Sequence, residues 1–304
     1  MAPARIAITS GGLQGFVFYA AELLARRPGR VLVEGPTYDR PLKLLAQAGA
    51  DVVSLPMDEE GLDPDVLAAE LARGGDISFL YTIPTFQNPS GRTLSEERRR
   101  RIAELAGEQR LPVLEDDPYG LVRFEGDPES SLLELEGGDL VTYTSSFSKT
   151  VAPGVRSGYF VLPEAHAPAF EERAVSTYIS PPFLPQAVVA EFIARGNFEP
   201  NLARVRSELQ ARRDAMLVAL DANAPDGVSW SHPAGGYFVW LEFDGADATA
   251  LAADAEREGV AFVPGPGFFA AGSSGGTASA RFAYSYETPE RITEGVERVM
   301  RLLG

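Results

Sequence analysis

Short apolar runs alternate with longer amphipathic segments through the first half of the chain. Runs rich in β-branched and aromatic residues, bounded by polar or glycine positions, predict buried strands. These runs lie at residues 5–9, 30–34, 51–55, 77–81, 112–115 and 140–144. Between the first five runs, helical spacing of the apolar positions predicts helices at residues 14–26, 40–48, 63–73 and 95–109. Strand and helix in alternation indicate an α/β fold with a mostly parallel sheet and helices on both faces.

The pattern changes after residue 156. Helical spacing predicts helices at residues 164–178, 183–195, 198–221, 247–258 and 289–303, with strands at "GVSW", "GGYFVWLEF", "VAFVPG" and "ARFAYSY". Such a mixture indicates an α+β unit. We therefore predict a large domain over residues 1–197 and a smaller C-terminal domain over 198–304, with the helix at about 198–221 as the bridge. We expect Trp230, Trp240 and Tyr237 in the core of the smaller domain.

Composition narrows the possible functions. The 304 residues carry a formal net charge of -16, which argues against nucleic acid or an anionic membrane as the main partner. No cysteine is present, so disulfides and thiolate metal sites are excluded, and a cytoplasmic protein is expected. His166 and His232 lie too far apart in sequence to favour a zinc site. The run Arg98–Arg101 points in four directions on a helix, and we expect a solvated helix face there.

The unusual residues gather in the loops that follow the predicted strands, where open parallel sheets bind ligands. These loops read "SGGLQG", "EGPTYDR", "TIPTFQNPSG", "EDDPYG" and "SSFSKT". A glycine-rich helix start offers backbone N–H groups to an anion, and serine hydroxyls with the guanidinium of Arg156 suit a phosphate. Lys149 lies between two of these elements. The combination indicates a cofactor that carries one phosphate and an aldehyde.

Those motifs resemble the fold-type-I pyridoxal 5′-phosphate (PLP) enzymes of the class I/II aminotransferase superfamily. The resemblance is strongest to the branch of 2-aminoadipate, kynurenine and related broad-specificity aminotransferases, and it extends over residues 5–304. The motifs that carry it, in family order, are "FQNPSG", "EDDPYG", "SSFSKTVAPGVRSGY", "PAGGYFVW", "VAFVPGPGFF" and "RFAYSY". It implies a PLP-transferase type I large domain and a smaller C-terminal α+β domain.

The resemblance also implies catalytic roles for individual residues. Lys149 would bind PLP as a Schiff base and then move the substrate proton as an acid and base. Asp116 would pair with the pyridine nitrogen, whereas Asp117, next along the pleat, would face away as a turn residue. Asn88 and Tyr119 would hydrogen-bond the phenolic oxygen of the cofactor.

Further positions would hold the cofactor and the substrate. Tyr38 matches the aromatic residue that stacks on the pyridine ring. Arg281, with Asn88, would bind the α-carboxylate of the substrate in a bidentate pair. The implied phosphate cup comprises Gly12, the backbone amides of Leu13 and Gln14, Ser146, Ser148 and Arg156.

The implied function is transfer of an amino group between an α-amino acid and a 2-oxo acid by ping-pong Schiff-base chemistry. Two alternatives share these motifs: the PLP-binding effector domain of a transcription regulator, and a PLP lyase or decarboxylase. A regulator would carry a basic winged helix-turn-helix ahead of residue 1.

Relatives in this superfamily carry a further N-terminal segment. It supplies part of the small domain and a tyrosine that reaches the phosphate of the neighbouring subunit. The resemblance therefore leads us to expect a homodimer. Without such a segment, we expect looser cofactor binding and slower turnover.

Overall fold

The computed structural model describes residues 2–273 and 275–304. Its larger sheet has the strand order β1-β8-β7-β6-β5-β2-β3-β4. The strands are β1 Ile6–Thr9, β2 Arg30–Gly35, β3 Val52–Asp58, β4 Gly61–Leu62, β5 Ile77–Thr82, β6 Val113–Asp116, β7 Val141–Ser146 and β8 Gly158–Val161. Strands β7, β6, β5, β2 and β3 run parallel, while β8 runs antiparallel to both β1 and β7. The mostly parallel sheet is therefore confirmed, and the short strands β4 and β8 are additions.

Ten α-helices lie in the described residues. They are α1 Gly12–Arg26, α2 Asp39–Gln47, α3 Pro64–Ala72, α4 Glu96–Gln109, α5 Leu132–Glu136, α6 Ala167–Tyr178, α7 Phe183–Ala194, α8 Phe198–Asn223, α9 Ala248–Arg257 and α10 Pro289–Arg301. Side-chain caps fix several starts: Asp63, Ser95 and Thr288 each accept a hydrogen bond from a backbone N–H of the first turn. None of the helices described over 2–273 and 275–304 is long and apolar enough to cross a membrane.

A second, antiparallel sheet follows α8 in the chain. Its strands are β9 Val228–Trp230, β10 Phe238–Phe243, β11 Val263–Pro264 and β12 Ser279–Ala283, in the order β11-β12-β10-β9. Its apolar face packs with α8 and α10 into one cluster, which also takes in Phe86, Tyr119 and Val122 from loops of the larger sheet. The core of the small sheet therefore extends to loops of the larger sheet, whose own strands form two further apolar clusters. The proposed boundary between residues 197 and 198 stays a prediction.

One expectation about the surface is wrong. Arg99 is only 2% exposed, and its guanidinium donates hydrogen bonds to the backbone oxygens of Leu94 and Pro84. Residue 99 lies on the same face of α4 as the buried Ile102 and Ala106. Of the four consecutive arginines, Arg99 therefore points toward the core. The buried guanidinium also donates to the hydroxyl of Thr85, so its N–H groups find acceptors away from water.

A glycine sets the distance between α1 and the sheet. Gly15 lies in α1 directly over Phe160 of β8, and a Cβ at this position would overlap the Phe160 ring. Because glycine has no side chain, the first turns of α1 can lie close against the sheet. This contact places the start of α1 beside the loop that carries Lys149.

We predict that Gly15→Ala lowers the free energy of unfolding by about 1–3 kcal/mol, because the added methyl group overpacks the core. The matched control is Gly107→Ala in α4, where no described atom would lie within 4 Å of the new Cβ. There alanine should raise stability by about 0.5–1 kcal/mol, because it favours the helix. Urea unfolding of both variants measures the two effects. Equal effects would show that Phe160 does not limit residue 15.

Candidate functional site

The loops at the carboxyl ends of the larger sheet enclose a cavity of about 140 Å³. Ten of the residues singled out from the sequence line it: Gly12, Leu13, Tyr38, Asn88, Asp116, Tyr119, Ser146, Ser148, Lys149 and Arg156. Gln14 and Arg281 are not among its lining residues. The side-chain oxygen of Gln14 accepts a hydrogen bond from the backbone N–H of Ser10. Arg281 contacts the cavity through Asn88.

One end of the cavity is rich in hydrogen-bond donors. Nη1 of Arg156 donates to Oγ of Ser148 over 3.1 Å, and Oγ of Ser146 donates to the same oxygen over 2.9 Å. The first turn of α1 adds N–H groups without intrahelical partners. Gly11 has φ 94°, and a Cβ there would overlap the guanidinium of Arg156, so only glycine lets the two approach. This donor set fits a phosphate dianion.

Asp116 is the carboxylate of the cavity. Its Oδ2 accepts a hydrogen bond of 2.8 Å from the hydroxyl of Tyr81, on the neighbouring strand β5. Burial raises the pKa of Asp116 to about 7, although the bond from Tyr81 opposes the shift. A cation beside this carboxyl group would favour its charged form. Sequence reasoning missed Tyr81, because its role follows from the register of β5 and β6.

The second aspartate of the motif points elsewhere. Asp117 accepts hydrogen bonds from the backbone N–H of Gly120 over 2.7 Å and from the hydroxyl of Tyr143 over 3.0 Å. It therefore holds the turn after β6, as the alternation along the pleat predicts.

The amine of Lys149 lies beside two neighbouring aromatic rings. Its Nζ is 4.9 Å from the ring centroid of Tyr237 and 5.7 Å from that of Tyr119. Burial lowers the pKa of the Lys149 amine, and the cations Arg281 and Arg156 lower it further, while Asp116 opposes them. An amine with a lowered pKa can accept a proton nearer to neutral pH.

The chain contains only two lysines, so only one other side-chain amine could react with an aldehyde. The other, Lys43, lies on α2 with its side chain 57% exposed, and it pairs with Asp39 at 2.7 Å. An aldehyde bound beside the donor-rich end of the cavity would therefore meet one lysine. The donor-rich end, the carboxylate of Asp116 and the intervening amine together fit PLP.

Arg281 presents a partly free guanidinium beside the cavity. Nη1 donates to Oδ1 of Asn88 over 2.9 Å, and the guanidinium carbon lies 4.3 Å from the ring centroid of Phe238 and 5.0 Å from that of Phe268. Burial lowers the pKa of Arg281. Among the described residues, the buried Nε of Arg281 has no hydrogen-bond partner. A substrate carboxylate suits such a donor.

A buried carboxyl group holds the loops that carry Tyr38 and Asn88. Glu34 accepts hydrogen bonds from the hydroxyl of Thr82, the backbone N–H of Ile83 and the side-chain amide of Gln87. The same amide donates to the backbone oxygen of Pro36, two residues before Tyr38. Gln87 also precedes Asn88 directly, so one network links both loops. No pattern in the sequence points to this network, because its members lie far apart along the chain.

Comparison with known proteins agrees with this geometry. The family model of aminotransferase class I and II matches residues 2–299. An aromatic-amino-acid aminotransferase from Thermococcus litoralis is 35% identical over an alignment of 303 positions, which covers 97% of this chain and 71% of the relative. The crystal structure of the α-aminoadipate aminotransferase LysN from Thermus thermophilus, complexed with N-(5′-phosphopyridoxyl)-L-leucine, superposes with a TM-score of 0.94 at 36% identity. It matches 100% of this chain and 78% of that one.

A regulator also matches. The HTH-type transcriptional regulator YisV from Bacillus subtilis is 35% identical over 243 residues, which are 80% of this chain and 50% of the regulator. The chain thus spans about half the length of this relative. The family model covers nearly all of the chain, and the superposed enzyme carries a phosphopyridoxyl ligand. The chain therefore belongs to the class I and II aminotransferases, a family of fold-type-I enzymes that use pyridoxal 5′-phosphate.

Proposed function

We propose that the chain transfers an amino group from an α-amino acid to a 2-oxo acid, with PLP held in the cavity that Lys149 lines. The observation that carries this proposal is the position of the Lys149 amine. It lies in one cavity with the donor-rich end around Arg156 and with the buried carboxylate of Asp116.

Different side chains and backbone amides would hold different parts of the cofactor. When bound, PLP supplies an aldehyde that links to amines and a pyridine ring that takes up electrons. Asp116 would keep a proton on the pyridine nitrogen, Tyr38 would cover the ring face, and Asn88 with Tyr119 would donate to the phenolic oxygen. The groups that would hold the phosphate are Ser146, Ser148, Arg156, Gly12 and the backbone amides of Leu13 and Gln14.

Lys149 and Arg281 would act on the substrate. Arg281 and Asn88 would bind the α-carboxylate and so orient the bond from Cα to hydrogen. Nζ of Lys149, with its pKa lowered by burial, would accept that proton and return it at the next step. Because these side chains are positioned before substrate arrives, orientation would contribute much of the rate.

We also propose a homodimer in the cytoplasm. Several large apolar side chains on α6, α7 and the turn between them are exposed, a pattern typical of surfaces that bind another chain. They are Val175 55%, Ile179 79%, Phe183 80%, Leu184 74% and Val188 49% exposed. The mass of the chain in solution tests this part of the proposal.

Cofactor attachment is the first test. We expect borohydride reduction of the PLP-loaded chain to leave a stable adduct on the peptide that contains Lys149, because this amine alone lies in the cavity. Peptide mass spectrometry locates the adduct, and Lys43 serves as an internal control, since it is exposed and paired with Asp39. An adduct confined to Lys43 would overturn the assignment.

The reaction is tested with a panel of amino acids and 2-oxo acids. We expect the loaded chain to release the 2-oxo acid that corresponds to the donor amino acid. In Arg281→Lys the charge stays but the bidentate fork is lost, so KM for the amino acid should rise by about 10-fold or more, with the PLP absorption intact. Release of carbon dioxide or of an eliminated side-chain group would favour a decarboxylase or lyase. Binding of amino acids without any product would favour an effector domain.

The electronic role of Asp116 is tested by a matched pair. Asp116→Asn should keep the shape of the site and still bind PLP, yet lose about 10²–10⁴-fold in kcat, because the amide does not hold the pyridine proton. Asp117→Asn removes a charge at the adjacent position, where the side chain holds a turn, and its kcat should stay within about threefold of the unchanged chain. Steady-state rates at saturating substrate give kcat for both variants. Similar losses in the two variants would contradict the distinction.

A further inference from the structure

Tyr237 touches the catalytic lysine in two ways. Its ring centroid lies 4.9 Å from Nζ of Lys149, which is closer than the ring of Tyr119 at 5.7 Å. Its hydroxyl donates a hydrogen bond of 3.2 Å to the backbone oxygen of Lys149. The two rings also contact each other, with centroids 5.5 Å apart. The side chain and the main chain of the lysine thus meet the same tyrosine.

The position of Tyr237 is set by the small sheet. Gly235 and Gly236 precede it, and a Cβ on either would overlap Phe86, so the turn lies tightly against a loop of the larger sheet. The hydroxyl of Tyr284 donates a hydrogen bond of 2.8 Å to the backbone oxygen of Gly235. The backbone N–H of Tyr284 donates one of 3.2 Å to the backbone oxygen of Tyr237. Backbone and packing contacts outside the Lys149 loop therefore hold Tyr237 in place.

The small sheet carries the carboxylate-binding arginine as well. Arg281 in β12 pairs with Trp240 in β10, three residues after Tyr237. A second bond to the lysine loop comes from α8, where the side-chain amide of Asn201 donates to the backbone oxygen of Thr150 over 2.7 Å. The loop that holds Lys149 is therefore fixed from the C-terminal half of the chain.

We propose that Tyr237 is a positioning residue for Lys149: its ring forms one wall beside the amine, and its hydroxyl holds the main chain of the same residue. This inference rests on the proposed function of Lys149. A cation beside an aromatic face is stabilised by the ring quadrupole, so the ring favours one orientation of the protonated amine. The other charged or titratable groups around the amine are Asp116, Arg156, Arg281 and Tyr119.

Two substitutions separate the ring from the hydroxyl. Tyr237→Phe keeps the ring and loses the hydrogen bond, whereas Tyr237→Leu keeps an apolar wall and loses both the ring and the bond. We expect kcat to fall by about fivefold in Tyr237→Phe and by about 10-fold or more in Tyr237→Leu. KM for the amino acid should stay within about twofold in both, because the contact between Arg281 and Asn88 is untouched.

A second readout needs neither cofactor nor turnover. The rate of acetic anhydride labelling of Lys149 is followed against pH in the cofactor-free chain by peptide mass spectrometry, with Lys43 as the reference. Loss of the ring removes a stabilisation of the ammonium form, so in Tyr237→Leu the labelling midpoint should fall by about half a pH unit. In Tyr237→Phe the midpoint should not move.

The control removes a comparable bond elsewhere. Tyr178→Phe deletes a tyrosine hydroxyl that donates to the backbone oxygen of Ile8, and it should change neither kcat nor the midpoint. Tyr237→Met replaces Tyr237→Leu if the latter does not fold. An unchanged midpoint in the ring-free variant, or a rise in KM at constant kcat, would overturn the role of Tyr237. Failure of the unsubstituted chain to form a 2-oxo acid would instead count against the proposed function, since the labelling midpoint is measured without cofactor.

Discussion

The geometry of the site depends on a buried carboxyl group outside the cavity. Glu34 is 1% exposed, and burial raises its pKa. Burying a polar group costs free energy unless hydrogen bonds compensate, and here Thr82, Ile83 and Gln87 supply them. These donors belong to β5 and the loop after it. Glu34 therefore joins the loop after β5 to the loop that follows its own strand, β2. Tyr38, proposed to stack on the cofactor, and Asn88, proposed to bond its phenolic oxygen, stand on the two loops so joined.

Burial also sets the chemistry of the charged groups in the cavity. Burial removes Asp116 and Lys149 from water, which raises the pKa of the acid and lowers that of the amine. The shift at Lys149 moves the pKa of the amine toward neutral pH, where proton transfer is most effective. The cations Arg156 and Arg281 act on the amine in the same direction as burial. Neighbouring charges and burial therefore cooperate at Lys149.

Much of the fold could be predicted from the sequence. So could the presence of Asp116, Lys149 and Arg156 in one cavity. Lys149, Arg156 and Asp116 stand in short motifs directly after predicted strands, and such motifs carry their own chemical signal. Tyr81 and Tyr237 carry no such signal. Tyr81 meets Asp116 only through the register of two strands, and Tyr237 meets Lys149 only through the packing of one sheet on another. The prediction that Arg99 is solvated was wrong. Helical periodicity gives the direction of a side chain, but it does not show that buried oxygen atoms are present there to accept hydrogen bonds from the guanidinium.

The scarcity of lysine has a consequence for the chemical durability of the enzyme. Of the 27 basic residues, two are lysine and the other 25 are arginine, and only Lys43 offers an exposed side-chain amine. Free aldehydes condense with neutral amines, whereas a guanidinium stays protonated at physiological pH. A surface that takes its positive charge from arginine is therefore nearly inert toward excess cofactor and toward reducing sugars. Such a chain offers few side-chain amines for stray aldehyde adducts.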